Sequence, residues 1–386
     1  TDGAEVETMS ADPNAGNINL TGNEFAQSIY GNSGNNNITG LGGADFLVGG
    51  AGNDTYYVDP SDFIGEDVGG GDDTIVIATS YILREGNEIE TLVAFNQDST
   101  DPVNLTGNEF GQSLYGSQGA NMLNGGGGND FLVGLGGNDF LIGGPGDDVL
   151  QGGTGNDLYY VDTGDWVFEA AGEGDDLVVA FSSFALLAGH SIETLTAAEG
   201  NAAINLTGNE LGQSIYGNAG DNVLTSGGGA DYMAGGAGND VFVLTNAPGV
   251  STIADYSAGD TVDVTQYVNV AGGTDIVAGG YLKIVGTQLQ VDANGGADNF
   301  VTIANVSGSG AVAIRYVAGG NLADISVARS ASQEPASAAK LSATAEPVDA
   351  HAAALPDAPH AFGDGAFHES FSLDPAAPHF DFHGII

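Results

Sequence analysis

Single apolar residues recur at every ninth position in three stretches of the chain, set among glycine-rich and polar segments. Each lies in a short alternation of the form Asp-x-apolar-x, which is typical of a strand with one side chain directed inwards. The preceding glycines permit tight turns with positive φ. Two nonads therefore predict one coil of 18 residues, and coils stack at the ~4.8 Å spacing of strands. The predicted inward residues are Leu47, Tyr56, Leu132, Leu141, Leu150, Tyr159, Met233 and Phe242.

A longer internal repeat divides the chain into three modules. The segment Leu-Thr-Gly-Asn-Glu-(Phe/Leu) occurs at residues 20–25, 105–110 and 206–211, and nonads follow each copy. Strand-rich inserts end the first two modules, whereas the third leads into alternating strands that we interpret as a cap. We predict an all-β fold, a right-handed parallel β-roll or β-solenoid of nonapeptide repeats in three modules, with a C-terminal β cap and an extended tail. The predicted boundaries are an N-terminal segment (1–18), modules one (19–103), two (104–203) and three (204–272), a C-terminal β cap or secretion-related domain (273–329) and an Ala/Pro/His-rich tail (330–386).

The charge of the chain restricts its partners. There are 51 acidic and 5 basic side chains, a formal net charge of −46. Nucleic acid is excluded as a natural partner because too few cations are present to displace phosphate counterions. An anionic membrane surface is disfavoured for the same reason, and no apolar run approaches the ~18 residues of a transmembrane helix. Since the chain also lacks cysteine, multivalent cations are the expected means of neutralising and crosslinking it.

The turn half of the nonad has the chemistry of a calcium site. The clearest copies, residues 49–54 and 152–157, have the form Gly-Gly-x-Gly-Asn-Asp. Calcium takes six to eight hard oxygen ligands, and glycine turns direct backbone carbonyls inwards while aspartate adds negative charge. One turn supplies only part of this shell. We therefore expect the ion to lie between stacked coils, with an equivalent turn from the next coil completing its coordination.

These tandem Gly-Gly-x-Gly-x-Asp copies resemble the RTX family of calcium-binding β-rolls, which type I secretion systems export. The resemblance spans roughly residues 19–328. It implies several bound Ca²⁺ ions, held by the sixth-position aspartates and the turn carbonyls. It also implies a secreted protein, extracellular or on the cell surface of a Gram-negative bacterium, and contact with the type I secretion machinery. The implied calcium ligands are Asp45, Asp54, Asp130, Asp139, Asp148, Asp157, Asp231 and Asp240.

Nonads two apart are expected to share an ion. The pairs with aspartate on both sides are Asp130 with Asp148 and Asp139 with Asp157, where we expect the tightest sites. The mixed pairs are Asn36 with Asp54, Asn121 with Asp139 and Asn222 with Asp240. The turns at Gln27, Gln112 and Gln213 depart from the motif, which favours stacking without metal there. Asp73, Asp176 and Asp260 follow degenerate glycine turns and are weaker candidates.

No enzymatic site is expected. The chain contains neither the His-Glu-x-x-His of zinc proteases nor the Gly-x-Ser-x-Gly of lipases. His190 and Ser191 beside Glu193 belong to the recurrent strand insert, which favours a structural role. The tail carries five histidines, and zinc is not favoured there.

We expect the chain to fold on binding calcium, because glycine-rich coils have little apolar surface to offset their backbone entropy. Repeats occupy almost the whole sequence, which favours a structural role: self-assembly, as a homo-oligomer or filament, into a surface layer, extracellular fibre or biofilm matrix. An open end of the solenoid would expose strand edges that recruit a neighbour, and the tail is a candidate for docking on that neighbour. Two alternatives are the C-terminal calcium-binding export module of a larger secreted protease or lipase, and an adhesin.

Overall fold

A computed structural model describes residues 6–330, which form strands and turns. In that range no helix is long and apolar enough to cross a membrane. The all-β prediction is confirmed. The predicted tail, with its docking role, its histidines and its phenylalanines, lies outside the described residues apart from Ser330.

The strands are short and separated by turns throughout the three modules. The N-terminal segment contains β1 (Thr8–Ser10). The first module contains β2 (Asn19–Thr21), β3 (Ser28–Tyr30), β4 (Asn37–Thr39), β5 (Phe46–Val48), β6 (Thr55–Val58), β7 (Phe63–Ile64), β8 (Thr74–Ile77), β9 (Tyr81–Ile82) and β10 (Thr91–Ala94). The second contains β11 (Leu105–Thr106), β12 (Ser113–Tyr115), β13 (Met122–Asn124), β14 (Phe131–Gly136), β15 (Phe140–Ile142), β16 (Val149–Thr154), β17 (Leu158–Val161), β18 (Trp166–Phe168), β19 (Leu177–Ala180), β20 (Phe184–Ala185) and β21 (Thr194–Ala197). The third contains β22 (Leu206–Thr207), β23 (Ser214–Tyr216), β24 (Val223–Thr225), β25 (Tyr232–Ala234), β26 (Val241–Val243), β27 (Ser251–Ile253), β28 (Thr261–Asp263) and β29 (Asn269–Val270).

These strands wind into a parallel β-solenoid of about 14 turns. Consecutive strands alternate between two faces, so that odd-numbered strands pair with odd and even-numbered with even along most of the chain. Leu132 lies beside Leu150, one coil of 18 residues further on. The inserts continue the same winding with longer loops, since Leu92 lies beside Leu114. Modules and inserts therefore form one stack, as the nonad period predicts.

The core is a column of single inward side chains, one from each short strand. All eight predicted inward residues are fully buried. Neighbours within the column come from successive coils: Tyr159, for example, lies between Leu141 and Val178. A side chain of this kind contributes about 1.5–3 kcal/mol when fully buried. Two such residues in a coil of 18 are a small contribution beside the cost of ordering its backbone, so the turns must supply further stabilisation.

The two ends of the solenoid differ. At the C-terminal end, the roll continues through β27 and β28, and six further strands follow, which form both parallel and antiparallel pairs. These are β30 (Leu282–Val285), β31 (Gln288–Val291), β32 (Val301–Val306), β33 (Val312–Ala318), β34 (Asn321–Val327) and β35 (Arg329–Ser330). At the N-terminal end, β1 pairs only with β3 and β2 only with β4 within residues 6–330. One edge of each terminal strand is therefore unpaired in the part of the chain that the structure describes.

Candidate calcium sites between the coils

The turns that precede the strands bury a column of polar side chains on each face of the solenoid. Each predicted ligand comes immediately before a strand, at the point where the glycine turn ends. All fourteen predicted residues are buried: Asn36, Asp45, Asp54, Asp73, Asn121, Asp130, Asp139, Asp148, Asp157, Asp176, Asn222, Asp231, Asp240 and Asp260. The repeat thus places carboxylates inside the fold, where charge is costly unless it is paired.

One oxygen of each aspartate connects its coil to the preceding one. The backbone N–H of Asp130 donates to Oδ1 of Asp148 at 2.7 Å. The N–H of Asp139 donates to Oδ1 of Asp157 over the same distance. The mixed pairs have the same geometry: the N–H groups of Asn36, Asn121 and Asn222 donate to Asp54, Asp139 and Asp240 at 2.6, 2.7 and 2.9 Å. All five predicted pairs are therefore in contact across one coil step.

The second oxygen of most of these aspartates is buried and has no hydrogen-bond partner. Native proteins satisfy nearly all buried polar atoms, so a series of such oxygens calls for a ligand. Burial raises the pKa of Asp130 and of Asp157 to about 7, as desolvation of an unpaired carboxylate requires. The unpartnered atoms are the Oδ2 atoms of Asp45, Asp54, Asp73, Asp130, Asp139, Asp148, Asp157, Asp176 and Asp240, together with Oε2 of Glu169.

The basic side chains of the described range do not neutralise these carboxylates. Within residues 6–330 the single ion pair joins Arg315 to Asp324, away from the turns. The three remaining cations of that range have other partners: Arg84 lies over the Phe63 ring, Lys283 lies over the Phe300 ring, and Arg329 binds backbone carbonyls. Neutralisation must therefore come from an external cation.

The surroundings of the orphaned oxygens fit calcium. In seven of these aspartates, Oδ2 lies against the first glycine of the same nonad, so that a β-carbon at Gly134 or Gly152 would collide with the carboxylate of Asp139 or Asp157. No three acidic or imidazole side chains converge on one point among residues 6–330. Each ion would therefore bind one or two carboxylates and complete its shell with backbone carbonyls. All of these are hard oxygen donors of the kind that calcium selects.

In turns with asparagine or glutamine at the sixth position, the side-chain oxygen accepts a backbone N–H of the same turn. Oδ1 of Asn36 accepts the N–H of Asn32 at 2.8 Å, and Oδ1 of Asn222 accepts the N–H of Asn218 at 2.8 Å. Oδ1 of Asn121 accepts the N–H of Ser117 in its own turn at 3.3 Å and that of Val103 in the preceding coil at 2.9 Å. The glutamine turns do the same through Oε1, which accepts the N–H of Asn23, Asn108 and Asn209 in the three modules. These oxygens already have protein donors, unlike the aspartate Oδ2 atoms.

Two of the predicted aspartates have both oxygens engaged. Oδ1 of Asp231 accepts the N–H of Gln213 at 2.9 Å, and its Oδ2 accepts the Ser251 hydroxyl at 3.4 Å. The carboxylate of Asp260 accepts the N–H of Asp240 at 3.0 Å and that of Ser257 at 2.6 Å. These two residues therefore extend the inter-coil hydrogen bonding without presenting an orphaned oxygen.

The sequence reasoning did not select several acidic residues that join the same columns. Asp62 and Asp165 accept the N–H groups of Asp45 and Asp148, both at 3.0 Å, and their second oxygens accept an N–H from three residues earlier. A signal for them was present, because the segment Tyr-Tyr-Val-Asp-x-x-Asp recurs in the first two modules, at residues 56–62 and 159–165. Glu66 and Glu169 were also missed. Each stands just beyond the end of a strand, outside the nonad pattern.

His190, Ser191 and Glu193 are likewise tied into the coil. His190 packs edge-on against Phe168, with ring centroids 4.9 Å apart. The Ser191 hydroxyl donates to Glu193 at 2.9 Å, and Glu193 also accepts the N–H of Asp176 at 2.8 Å. Glu193 thus continues the inter-coil hydrogen bonds beyond the last nonad of the second module.

Fold and site together define a parallel β-solenoid with columns of buried carboxylates between its coils. The family model of the RTX calcium-binding nonapeptide repeat matches in four copies, over residues 21–56, 106–141, 133–165 and 207–242. A search of curated proteins gives no match. The chain therefore contains calcium-binding RTX nonapeptide repeats in a β-roll fold, and the resemblance of its nonads to this family is confirmed.

Proposed function

We propose that this chain is an extracellular structural protein whose β-roll folds when it meets calcium and whose folded units associate end to end. Secretion through a type I system is part of the proposal, since RTX repeat proteins are typically secreted by Gram-negative bacteria. An unfolded, calcium-free chain suits passage through a secretion channel. Millimolar calcium outside the cell would then drive folding.

The observation that carries calcium-dependent folding is the row of ten buried, unpartnered side-chain oxygens in a chain with a net charge of −46. Without a cation, these carboxylates must either ionise without a partner or take up protons. A ligand that binds only the folded state stabilises that state in proportion to the logarithm of its concentration. Calcium concentration therefore sets the folded fraction.

The unpaired N-terminal edge supports the assembly part of the proposal. Ala11 and Leu20 are buried, so the apolar core extends to the first coil. In β1 the residues on either side of Ser10 form the backbone hydrogen bonds to β3. The N–H of Ala11, for example, donates to the Tyr30 carbonyl. The backbone N–H of Ser10 therefore faces the unpaired outer edge. The hydrogen bonds between β2 and β4 alternate in the same way, so the backbone N–H of Thr21 also faces the unpaired edge. An unpaired edge over a continuous core is a template for pairing with a second copy.

Sedimentation velocity tests the proposal on the purified chain, first in chelator and then in about 1–10 mM calcium. We expect a slow, expanded monomer in chelator and a compact species that grows into polymers in calcium. The double variant Ser10→Pro/Thr21→Pro removes two edge donors and should fold with calcium without polymerising. Ser10→Ala/Thr21→Ala keeps both donors and should polymerise like the wild type.

The outcomes separate the two halves of the proposal. Calcium-independent sedimentation would contradict folding on calcium. A compact calcium-bound monomer at all concentrations would contradict self-assembly and leave a monomeric calcium-binding module. Equal polymerisation of the proline and alanine variants would show that the N-terminal edge is not the contact.

A further inference from the structure

Glu169 has an environment unlike that of any predicted ligand. It follows β18, and the pairing of Phe168 with Gln151 places it opposite Gly152 in the preceding coil. Glutamate thus stands where the next nonad would have its first glycine. Its side chain is 2 % exposed. A carboxylate so deeply buried and outside the repeat requires a partner.

One oxygen of this carboxylate is firmly held. Oε1 of Glu169 accepts the N–H of Gly152 at 2.9 Å and that of Gly153 at 3.2 Å. The Tyr159 hydroxyl makes a short hydrogen bond to the same oxygen and accepts the Gly152 N–H at 2.7 Å. These contacts fix the orientation of the carboxylate, while its other oxygen, Oε2, is buried without any hydrogen-bond partner.

A second orphaned oxygen belongs to the same turn. Asp176 comes seven residues after Glu169, and its Oδ2 is also buried and unpartnered. Burial raises the pKa of the Glu169 carboxyl to about 8, and the charge of Asp176 adds to that increase. Oδ1 of Asp176 accepts the N–H of Asp157 at 2.8 Å, and the Asp157 carboxylate lies against Gly152, whose N–H donates to Glu169. Both carboxylates therefore face the same nonad of the preceding coil, in a region where the described residues provide no cation.

The first module repeats this arrangement. Glu66 is opposite Gly49, since Leu47 pairs with Ile64 two residues earlier. Its Oε1 accepts the N–H of Gly49 at 2.8 Å and makes a short hydrogen bond with the Tyr56 hydroxyl. Asp73, again seven residues later, has an orphaned Oδ2. Desolvation is the main cause of the raised pKa of Asp73, and the charge of Glu66 raises that pKa further.

The third module lacks the arrangement and is an internal comparison. Asp255 stands opposite Gly235, but its oxygens accept the N–H groups of Gly235 and Gly236 at 2.9 and 2.8 Å. Phe242 occupies the position of the tyrosine and offers no hydroxyl. The shorter side chain uses both oxygens on backbone donors, so Asp255 has no orphaned oxygen like that of Glu169.

We propose that Glu169 with Asp176, and Glu66 with Asp73, bind one further calcium ion each at the end of the nonads of the second and first modules. The orphaned oxygens of Glu169 and Asp176, and that of Asp73 beside the buried Glu66, lie in turns with backbone carbonyls and offer the hard donors that this cation takes. The tyrosine hydroxyl orients each glutamate without being a ligand. This inference rests on the proposed binding of calcium by the β-roll, and it adds two sites that the nonapeptide motif does not encode.

Equilibrium dialysis of the full chain, followed by metal analysis, counts the bound calcium ions and tests this inference. Glu169→Gln keeps an acceptor for Gly152 and Tyr159 but replaces Oε2 with an amide nitrogen that cannot bind a cation. We expect one ion fewer per chain for Glu169→Gln, one fewer for Glu66→Gln and two fewer for the double variant. Glu199→Gln, which removes the same charge from an exposed side chain, should bind as many ions as the wild type.

Several outcomes would overturn the inference. Unchanged counts in both glutamine variants would refute these sites, whereas a wild-type chain that binds no calcium would refute the proposed function instead. Calcium anomalous diffraction from wild-type crystals gives a second measurement, which does not depend on how the variants fold. An anomalous peak bonded to Glu169 and Asp176, with none at Asp255, supports the inference. Peaks confined to the nonad aspartates overturn it.

Discussion

The backbone N–H of Asp130 donates to the carboxylate of Asp148 at 2.7 Å, exactly one coil later in the chain. Asp148 in turn donates its N–H to Asp165 at 3.0 Å. One oxygen of Asp148 therefore connects coils through a hydrogen bond, while the other is orphaned and available to a cation. A single side chain combines the two kinds of stabilisation that hold the stack together.

Asp148→Asn should separate these two roles. The amide keeps an oxygen for the N–H of Asp130, but it loses the charge and the second oxygen. We expect the calcium concentration at the midpoint of folding to rise about tenfold or more, since each factor of ten corresponds to ~1.4 kcal/mol. Circular dichroism during a calcium titration measures this midpoint. Asp147→Asn, an exposed neighbour with the same change of charge, is the control, and equal midpoints for the two variants would refute the prediction.

Acid should partly replace calcium. Burial raises the pKa of Asp130 and Asp157 to about 7, above the ordinary value near 4, so the folded state favours their protonated forms. This contribution to the stability of the metal-free chain is fully present below about pH 4 and is lost as the pH rises through about 7. Calcium affinity should change in the opposite direction, because the ion binds carboxylate.

The folded fraction of the calcium-depleted chain, followed by circular dichroism between about pH 5 and 8, measures this effect. We expect it to fall as the pH rises. The same series in saturating calcium is the control and should show no such loss. A metal-free chain that becomes more folded towards neutral pH would contradict the assignment of unpaired, buried carboxylates.

Leu41 occupies a turn position that suits glycine. Its φ is 76°, in the left-handed region, where a β-carbon costs about 1–2 kcal/mol. Its side chain is exposed, so removing it forfeits little burial. Leu41→Gly should therefore stabilise the calcium-bound protein by about 0.5–1 kcal/mol, after allowance for the flexibility of glycine in the unfolded chain. Urea unfolding in saturating calcium measures this, and Val68→Gly, an exposed residue without positive φ, should destabilise instead.

Arg329 fastens the C-terminal cap. Its guanidinium donates to the carbonyls of Gly286, Val306, Ser307 and Gly310, at 3.2, 2.7, 2.8 and 3.0 Å. A lysine cannot reproduce this fork of donors. Arg329→Lys should destabilise the cap by about 2 kcal/mol, in line with the loss of hydrogen bonds to a charged group.

Thermal unfolding at saturating calcium measures the stability of the cap. Arg315→Lys is the matched control, because Arg315 forms an ion pair with the exposed Asp324, and such pairs contribute little. We expect a much smaller change for this variant. An equal effect of the two substitutions would show that the carbonyl contacts of Arg329 are not important for stability.

The sequence alone determined the winding of the chain. The period of nine fixes which residue of each nonad points inwards, and the burial of Leu141 and Phe242 follows from it. Pairing across one coil, as between Asp139 and Asp157, follows from the same period, because stacking identical turns aligns identical positions. The identity of calcium followed from glycine turns and carboxylates, which are local features.

Only the tertiary structure decided which buried oxygens have partners. Asp157 and Asp260 both follow glycine turns, yet Asp260 satisfies both oxygens from Asp240 and Ser257, whereas Oδ2 of Asp157 has no partner. Glu169 shows the same dependence, because its orientation is fixed by hydrogen bonds from Tyr159 and from two backbone N–H groups of the preceding coil. Whether an oxygen is left for calcium depends on donors that reach it from an adjacent coil, and these distances arise only when the coils stack.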